Sequence, residues 1–519
     1  MSKAKSVVIT VIMALAVAVA AFFAVISFPV ENNVKRLNSI ASRIHLGADL
    51  SGYAYTTVYP EGVILEEEYK FLEAEEKDGY DSVGSLYVKK EWLSENGYAD
   101  VDALKAAVAR DADIINKRLG KRGLSSYSVA VEDGVSIKVS VPTNYSYAAY
   151  KGNDEVTESN ANSVATVALS YMTAYGDLTL RTTDASISLT DANGKSITYD
   201  STSRGKDKWV DKAIPSGSTS KTYSLADGDD AAEYFSSVSS RTVGSAAVIT
   251  FNLTKEGRQK FAQLTTRAAS SSSQTIYFFV GDRQLLSFSC TEAVDQRSLT
   301  LQADNSNTAQ NAAITLNSAV KGDTLGVTYK TGTVLTSTAV GGENAALFTF
   351  IASILVLVAL TVLLVVKYKK LGAVTAFVSF IFALVELYAL CILEIQVTFA
   401  VVFTAAILLA LYVVSCAIVF EEVRRLTDSG RTVQASVKEA YKKVLMTVTD
   451  LHVVLVVLAI LLATVAAGEV AACGLLAVIG VVASYVLYWF TRFMWYVTSA
   501  PERDKFGFAG LKRVEYEDD

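Results

Sequence analysis

Histidine and cysteine are scarce in this chain, and each scarcity excludes a class of function. His45 and His452 are the only histidines among 519 residues, too few for a histidine-based metal site. Of the four cysteines, Cys391, Cys416 and Cys473 sit in apolar runs and Cys290 stands alone in the polar middle. A disulfide-stapled domain is therefore excluded. Charge is sparse as well, at 19% of residues, and the net charge of −6 leaves no basic footprint for nucleic acid. The sequence shows no nucleophile triad, phosphate loop or metal cluster, so neither a soluble enzyme activity nor a cofactor is expected.

What the chain has in quantity is apolar length. Half of it, 51%, is hydrophobic, which points to membrane spans joined to a sizeable soluble part. Lys3 and Lys5 precede an apolar run from Val7 to Val30. That run has the shape of a signal peptide but is long enough to span, and it reads as an uncleaved anchor with its N-terminus inside. Five further spans are expected at Leu347–Val366, Leu371–Leu393, Thr398–Phe420, about Leu451–Gly468 and about Val470–Phe490. Positive charge gathers at Lys367–Lys370, Arg424–Lys443 and Arg492–Arg513, while the loops at Glu394–Val397 and Gly468–Val470 carry none. This alternation predicts six transmembrane helices, both termini cytoplasmic, and a large extracytoplasmic domain inserted after the first helix.

The expected division is a first transmembrane helix over 1–30, the extracytoplasmic domain over 31–344, a five-helix block over 345–498 and a cytoplasmic tail over 499–519. Within the domain, Tyr53–Tyr59 alternates as a strand. Asp102–Leu119 carries Leu104, Ala107, Val108, Ile114, Ile115 and Leu119 at helical spacing, with Gly120 and Gly123 after it. Tyr127–Val131 and Val135–Val141 read as a hairpin. A second unit repeats this order: a strand at Ala247–Leu253, a helix at Lys255–Thr266 and a hairpin of Ile276–Val280 with Leu285–Ser289. A further helix is expected at Ala309–Val320. Two such units predict an α+β, ferredoxin-like base over about 31–183 and 244–344. Between them, 184–243 is rich in Ser, Thr, Asp and Gly, with turns at Asn193-Gly194 and Pro215-Ser-Gly. It reads as an inserted head lobe or as a loosely ordered loop.

The C-terminal third carries the most specific pattern. Val413 to Arg424 reads Val-Val-Ser-Cys-Ala-Ile-Val-Phe-Glu-Glu-Val-Arg. Gly430, Arg431, Thr432, Ala435, Tyr441, Lys442, Lys443, Thr447 and Asp450 follow without a gap. Ile479-Gly-Val-Val-Ala-Ser484 and Thr491-Arg492 close the block. This resembles the SecD family of protein-export membrane subunits, in the resistance–nodulation–division superfamily. There the fourth span ends in a pattern like Val-Asp-Ala-Asn-Val-Leu-Ile-Phe-Glu-Arg-Ile-Arg. Leu46-Gly-Ala-Asp-Leu-Ser-Gly52 is similar to the family's first-strand motif, through Asp49, Leu50 and Gly52. The matching family positions thus include Asp49, Gly52, Gly430, Gly480 and Arg492, and the chain resembles a divergent member.

The resemblance implies a SecF-like six-span partner, the SecYEG channel and a translocating preprotein, at the bacterial cytoplasmic membrane, with proton-motive force assisting export. It also exposes a departure. The family's fourth-span acid falls on Val414, which cannot titrate, and its Asn falls on Cys416, a small hydrophobe. Three groups remain as proton-coupling candidates. Asp450 matches a fifth-span Asp and reads equally as a relay site or as a helix N-cap before Leu451. His452 stands two residues on and reads as structural or as part of that relay. Glu386 lies in the middle of the third span, where an acid is costly to bury, and reads as a coupling acid or as an interhelical hydrogen-bonding group. The connector Glu421–Lys443 is expected to be an amphipathic interfacial helix whose Arg424, Arg425, Arg431, Lys438, Lys442 and Lys443 meet membrane lipid. The alternatives to a proton-driven subunit are a scaffold that holds substrate in the same complex, or a superfamily exporter of lipids or small molecules.

Overall fold

The computed structural model describes residues 3–26, 28–30, 35–37, 39–40, 44–122, 124, 126–142, 167–188, 223–226, 228–243, 246–281, 283–303, 306–330, 333–431 and 433–499. The expected tail, the turns at Asn193-Gly194 and Pro215, and Gly123 lie outside these residues. The chain divides into two compact units. One contains residues 1–52 and 338–519, and the other is 53–337. Residues 31–52 and 338–344, expected in the soluble domain, thus belong with the helical unit.

Among the described residues the helical unit holds five helices long and apolar enough to cross a membrane. They are Lys3–Val25, Ala345–Ile392, Phe399–Asp428, Val433–Val465 and Gly468–Ser499. In lipid a backbone must satisfy its own polar groups, and a charge-free apolar run does so as a helix. The 48-residue Ala345–Ile392 run is not straight. Lys369 leaves helical geometry at φ 53°, ψ −128°. A Cβ on Gly372 would collide with the Leu364 carbonyl oxygen, which lies about 12 Å away in a straight helix. The chain therefore folds back at Lys369, close to the break expected between Val366 and Leu371.

The last three helices, of 30, 33 and 32 residues, measure about 45–50 Å. That exceeds a hydrocarbon thickness of about 30 Å. This corrects the reading of the connector. Glu421–Lys443 is not one interfacial helix. It is the end of one long helix and the start of the next, divided at Ser429–Arg431, where Gly430 takes φ 93°. Gly430 N–H donates to the Thr427 carbonyl at 2.9 Å and closes the first helix. The start of Phe399–Asp428 is capped twice: Thr398 Oγ1 accepts from Val401 N–H at 3.2 Å, and the Asp49 carboxylate accepts from Phe399 N–H at 2.6 Å. Beside it His45–Leu46 pairs in parallel with Gln396–Val397.

The bundle core is heavily aromatic at the Gly430 end. Tyr368 stacks on Phe420 (4.2 Å), Phe420 meets Trp495 edge-on (4.7 Å), and Trp495 meets Tyr441 (5.7 Å). Gly480 admits Leu408 of the neighbouring helix, and Gly474 admits the Leu462–Ala463 backbone. Small residues at such crossings let helices approach closely.

The second unit is built on antiparallel sheets. Its largest sheet runs Tyr329–Lys330, Tyr53–Pro60, Ser136–Pro142, Ser128–Glu132, and Leu335–Ser337 also pairs with the second of these. Numbered along the chain, the four main strands stand in the order 4-1-3-2. Tyr53–Pro60 alternates half-buried and buried residues, as expected for one covered face. The Val101–Lys121 helix starts where Asp100 accepts from Ala103 N–H at 2.8 Å, and it buries Leu104, Val108, Ile115 and Leu119. The expected second strand–helix–hairpin unit exists as Ala246–Leu253, Lys255–Ala269, and Thr275–Val280 with Arg283–Ser289. Its parts divide between two sheets, however. Ala246–Leu253 lies between Phe235–Val243 and Ser298–Ala303, whereas the hairpin joins Leu178–Thr182 and Tyr223–Ala226. Within the stretch read as a head lobe, 223–226 and 235–243 are thus sheet strands of this unit, and 189–222 lie outside the described residues.

Candidate functional site

Charge is rare inside the helical unit, so each buried ionisable group there is a candidate site. Glu386 is 6% exposed, and among the described residues its Oε1 has no hydrogen-bond partner. One turn before it, Phe382 stacks on Tyr412 at 5.9 Å. Two residues after it, Tyr388 donates its hydroxyl to the Ala20 carbonyl at 3.1 Å. The acid thus sits on the face of its helix that packs into the bundle.

His452 is also buried, at 3% exposed. Its Nδ1 lies 2.7 Å from the Val448 carbonyl oxygen, and its Nε2 lies 3.0 Å from Ser484 Oγ. A carbonyl only accepts, so Nδ1 carries a proton and donates to Val448, while Nε2 and the Ser484 hydroxyl share a bond in which either can donate. Tyr485 packs on the ring at 5.3 Å, with its hydroxyl 3.0 Å from Thr449 Oγ1. The Ser484 and Tyr485 contacts were invisible to sequence reasoning, because they cross between helices.

Asp450 lies well inside the continuous Val433–Val465 helix and is exposed. This removes the N-cap reading, since a cap must stand at a helix start. Two residues along a helix turn the side chain by about 200°, so Asp450 points out while His452 points in. Val414 is 51% exposed on the outer face of its helix, and Cys416, two residues on, is 1% exposed. Beside Cys416, Tyr412 and Thr491 share a 2.6 Å hydroxyl–hydroxyl bond between positions too far apart for any local pattern to reveal. The position that carries an acid in the SecD pattern therefore faces away from this chain's own core.

The charged residues of the connector meet one another. Glu422 accepts from Arg425 at 2.8 Å and Lys443 at 3.0 Å, and Glu421 pairs with Lys367 at 3.1 Å and takes the Tyr368 hydroxyl at 3.1 Å. Lys367, Tyr368, Glu421, Glu422 and Arg425 line, with Val414 and Ile418, an open groove of about 490 Å³. The Arg492 guanidinium lies 5.3 Å from both the Tyr441 and Trp489 rings, a cation–π pairing. Gly52, at φ 87°, ends the short Ala48–Ser51 helix beside Asp49. The matched family positions are thus largely structural: a distant helix cap, two helix ends, a close crossing and an aromatic clamp.

In the soluble unit two charged side chains of the Val101–Lys121 helix are buried in a hydrogen-bond network. Asp111 accepts from Gly326 N–H, Val327 N–H and Tyr329 Oη, each at 3.0 Å. Burial pushes its carboxyl above the usual range, and the three hydrogen bonds oppose that push. Seven residues, about two turns, further along the same helix, Arg118 donates to the carbonyls of Met172, Ala174 and Asp323 and to Ser318 Oγ. Burial lowers its guanidinium to about 10. Every arm of Arg118 holds a loop or helix end, so the network is a brace. Among the described residues no group of three metal-ligating side chains occurs.

No sequence-family model matches the chain, and no curated protein matches it by sequence. Solved structures do match by shape. A crystal structure of SecDF in a super-membrane-facing form superposes with a TM-score of 0.53 at 14% identity, covering 99% of this chain and 60% of that one. SecDF from Thermus thermophilus, described as a translocon-associated membrane protein, gives 0.43 at 14% identity, covering 96% and 59%. The chain is a membrane protein with an extramembrane domain. Its fold is SecD-like, and it spans about 60% of the length of the SecDF chain it matches.

Proposed function

We propose that this protein is a SecD-type subunit that assists preprotein export across the bacterial cytoplasmic membrane. The observation that carries the proposal is the likeness to SecDF over 99% of the chain. The motifs around Val413–Arg424 and Asp49–Gly52 support the same reading. This chain covers 60% of SecDF, which leaves room for a separate SecF-like partner, and SecYEG is the expected channel. In this reading the turn at Lys369 divides the 48-residue run into two crossings, and the chain has six spans. With positive loops inside, both termini are cytoplasmic and residues 53–337 lie outside. The 4-1-3-2 strand order supports a ferredoxin-like base.

Glu386 is the proton-coupling acid in this reading. It is a carboxyl buried within a membrane-length helix, with an oxygen unmet among the described residues, so gaining or losing a proton there changes the cost of burial directly. His452, held by Ser484 of the last helix, is a second group in this reading. Asp450 stands outside the path. A second reading is favoured by Val414: because that face of the bundle points outward and cannot titrate, coupling resides in the partner and this chain holds substrate and partner in place.

The test is export of a reporter preprotein in cells depleted of the native copy, with the proton gradient on and off. Glu386→Gln is expected to abolish the gradient-dependent part and leave the rest, while Asp450→Asn behaves as wild type. Unchanged gradient dependence in Glu386→Gln would select the scaffold reading. Absence of any crosslink to a SecF-like or SecY-like neighbour would remove the export assignment.

A further inference from the structure

The first strand of the soluble unit, Tyr53–Pro60, does not lead straight into the Val101–Lys121 helix. A small module intervenes. Its three-stranded sheet has the order Val63–Leu65, Leu86–Lys89, Tyr80–Val83, flanked by the Glu66–Lys70 and Ala74–Lys77 helices. Its inner side is ordinary core: Val63, Val83, Leu86, Val88 and Leu93 are buried. Its outer side is not.

From Glu66 to Asp81 the sequence has eight carboxylates against two lysines, a net charge of −6 that equals the net charge of the whole chain. Only part of this is neutralised locally. Glu66 pairs with Lys70 and Asp81 with Lys90, whereas Glu67, Glu73, Glu75 and Asp78 make no ion pair among the described residues. Aromatic and apolar surface is set within these charges. Tyr69 stacks on Tyr87 at 3.6 Å and meets Tyr80 edge-on at 6.1 Å. Beside them Leu65 is 41% exposed and Phe71 is 89% exposed. A phenyl ring so placed contributes nothing to this fold and costs free energy in water. Finally, Tyr80–Val83 is an edge strand, paired on one side only among the described residues, with backbone groups free to take another strand.

We infer that the outer face of residues 65–83 is a docking surface for an extended, Lys/Arg-rich polypeptide segment carrying apolar side chains. The acidic charge selects a cationic partner and repels an anionic membrane surface. Phe71 and the tyrosines receive apolar and cationic side chains, and the open edge offers strand pairing to a chain without structure of its own. The source we assign is the unfolded polypeptide in transit, and in that assignment alone the inference rests on the export reading.

The test uses the full-length protein in detergent with two fluorescein-labelled unstructured peptides. One carries interspersed Lys and Phe, and in the other each Lys is replaced by Glu. Anisotropy is expected to show binding of the Lys peptide only, weakening in high salt, where the Debye length falls to about 3 Å at 1 M. Phe71→Ser, and separately Glu67→Gln/Glu73→Gln/Glu75→Gln, are each expected to weaken it about tenfold. The micelle is common to all three proteins, and these exposed positions leave the thermal unfolding of the domain unchanged. Equal binding by wild type and variants, or equal binding of both peptides, overturns the inference. So does Phe71-dependent binding to anionic vesicles in place of peptide, which would make a membrane the occupant. Peptide binding lost in the variants while reporter export stays normal keeps the docking surface and removes the polypeptide in transit as its occupant.

Discussion

At the scale of single residues, burial separates groups that look alike in the sequence. Asp450 and Asp111 are both aspartates inside long helices, yet the first is exposed and the second receives three hydrogen bonds. Asp111→Ala leaves two backbone N–H groups and the Tyr329 hydroxyl unmet. We expect it to cost the soluble unit about 3 kcal/mol, read as a shift in the denaturant midpoint at unchanged slope. A pH dependence follows as well. Burial holds the folded carboxyl above its unfolded value, so the native state binds the proton more readily and stability falls as pH rises through the folded value. Asp111→Asn is expected to flatten that slope, measured by unfolding at a series of pH values. Residue roles were the least legible part of the sequence. Glu386 was recognisable because an acid in an apolar run is conspicuous. The His452–Ser484 and Tyr412–Thr491 pairs join positions 32 and 79 residues apart, a separation that no local pattern encodes.

At the scale of elements, apolar length and charge placement made the spans readable. The Asp102–Leu119 helix was readable too, because its 3.6-residue period is unbroken. Ends were less legible. The Val433–Val465 helix begins well before the apolar stretch does, because packing of Tyr441 and Val448 against the last helix continues the helix through polar sequence. The turn at Lys369 yields a prediction. A lysine at φ 53°, ψ −128° occupies a region that costs a side chain about 1–3 kcal/mol and glycine little. Lys369→Gly is expected to raise the thermal midpoint of the detergent-solubilised protein. Gly372→Val, whose Cβ would strike the Leu364 carbonyl, is expected to lower it and reduce the folded yield. Sheet membership was hidden: Ala246–Leu253 and Thr275–Val280 read as one unit but enter different sheets. Strand pairing is settled by long-range contacts, and alternation reports only which side of a strand is covered.

At the scale of the molecule, the soluble unit begins and ends in the same place. Tyr53 is the register partner of Ser337. In the helical unit Gly341 N–H reaches the Asp49 carbonyl at 3.3 Å. Residues 53–337 should therefore be excisable. Expressed alone, they are expected to be soluble without detergent and to unfold cooperatively, checked by circular dichroism. A broad, non-cooperative melt would show that the helical unit is needed to complete the core.

Order of synthesis gives the helical unit a different constraint. Ser6 donates its hydroxyl to the carbonyl of Val497 at 2.6 Å, and Asp49 caps a helix that starts at Phe399. Ribosomes add about 5–20 residues per second, so the N-terminal span waits tens of seconds for neighbours made last. During that interval its apolar surface has only lipid or a helper to rest against. Assembly of the bundle is thus timed by the ribosome, and slowed elongation late in the message should lengthen the window in which the nascent span is open to misassembly or proteolysis.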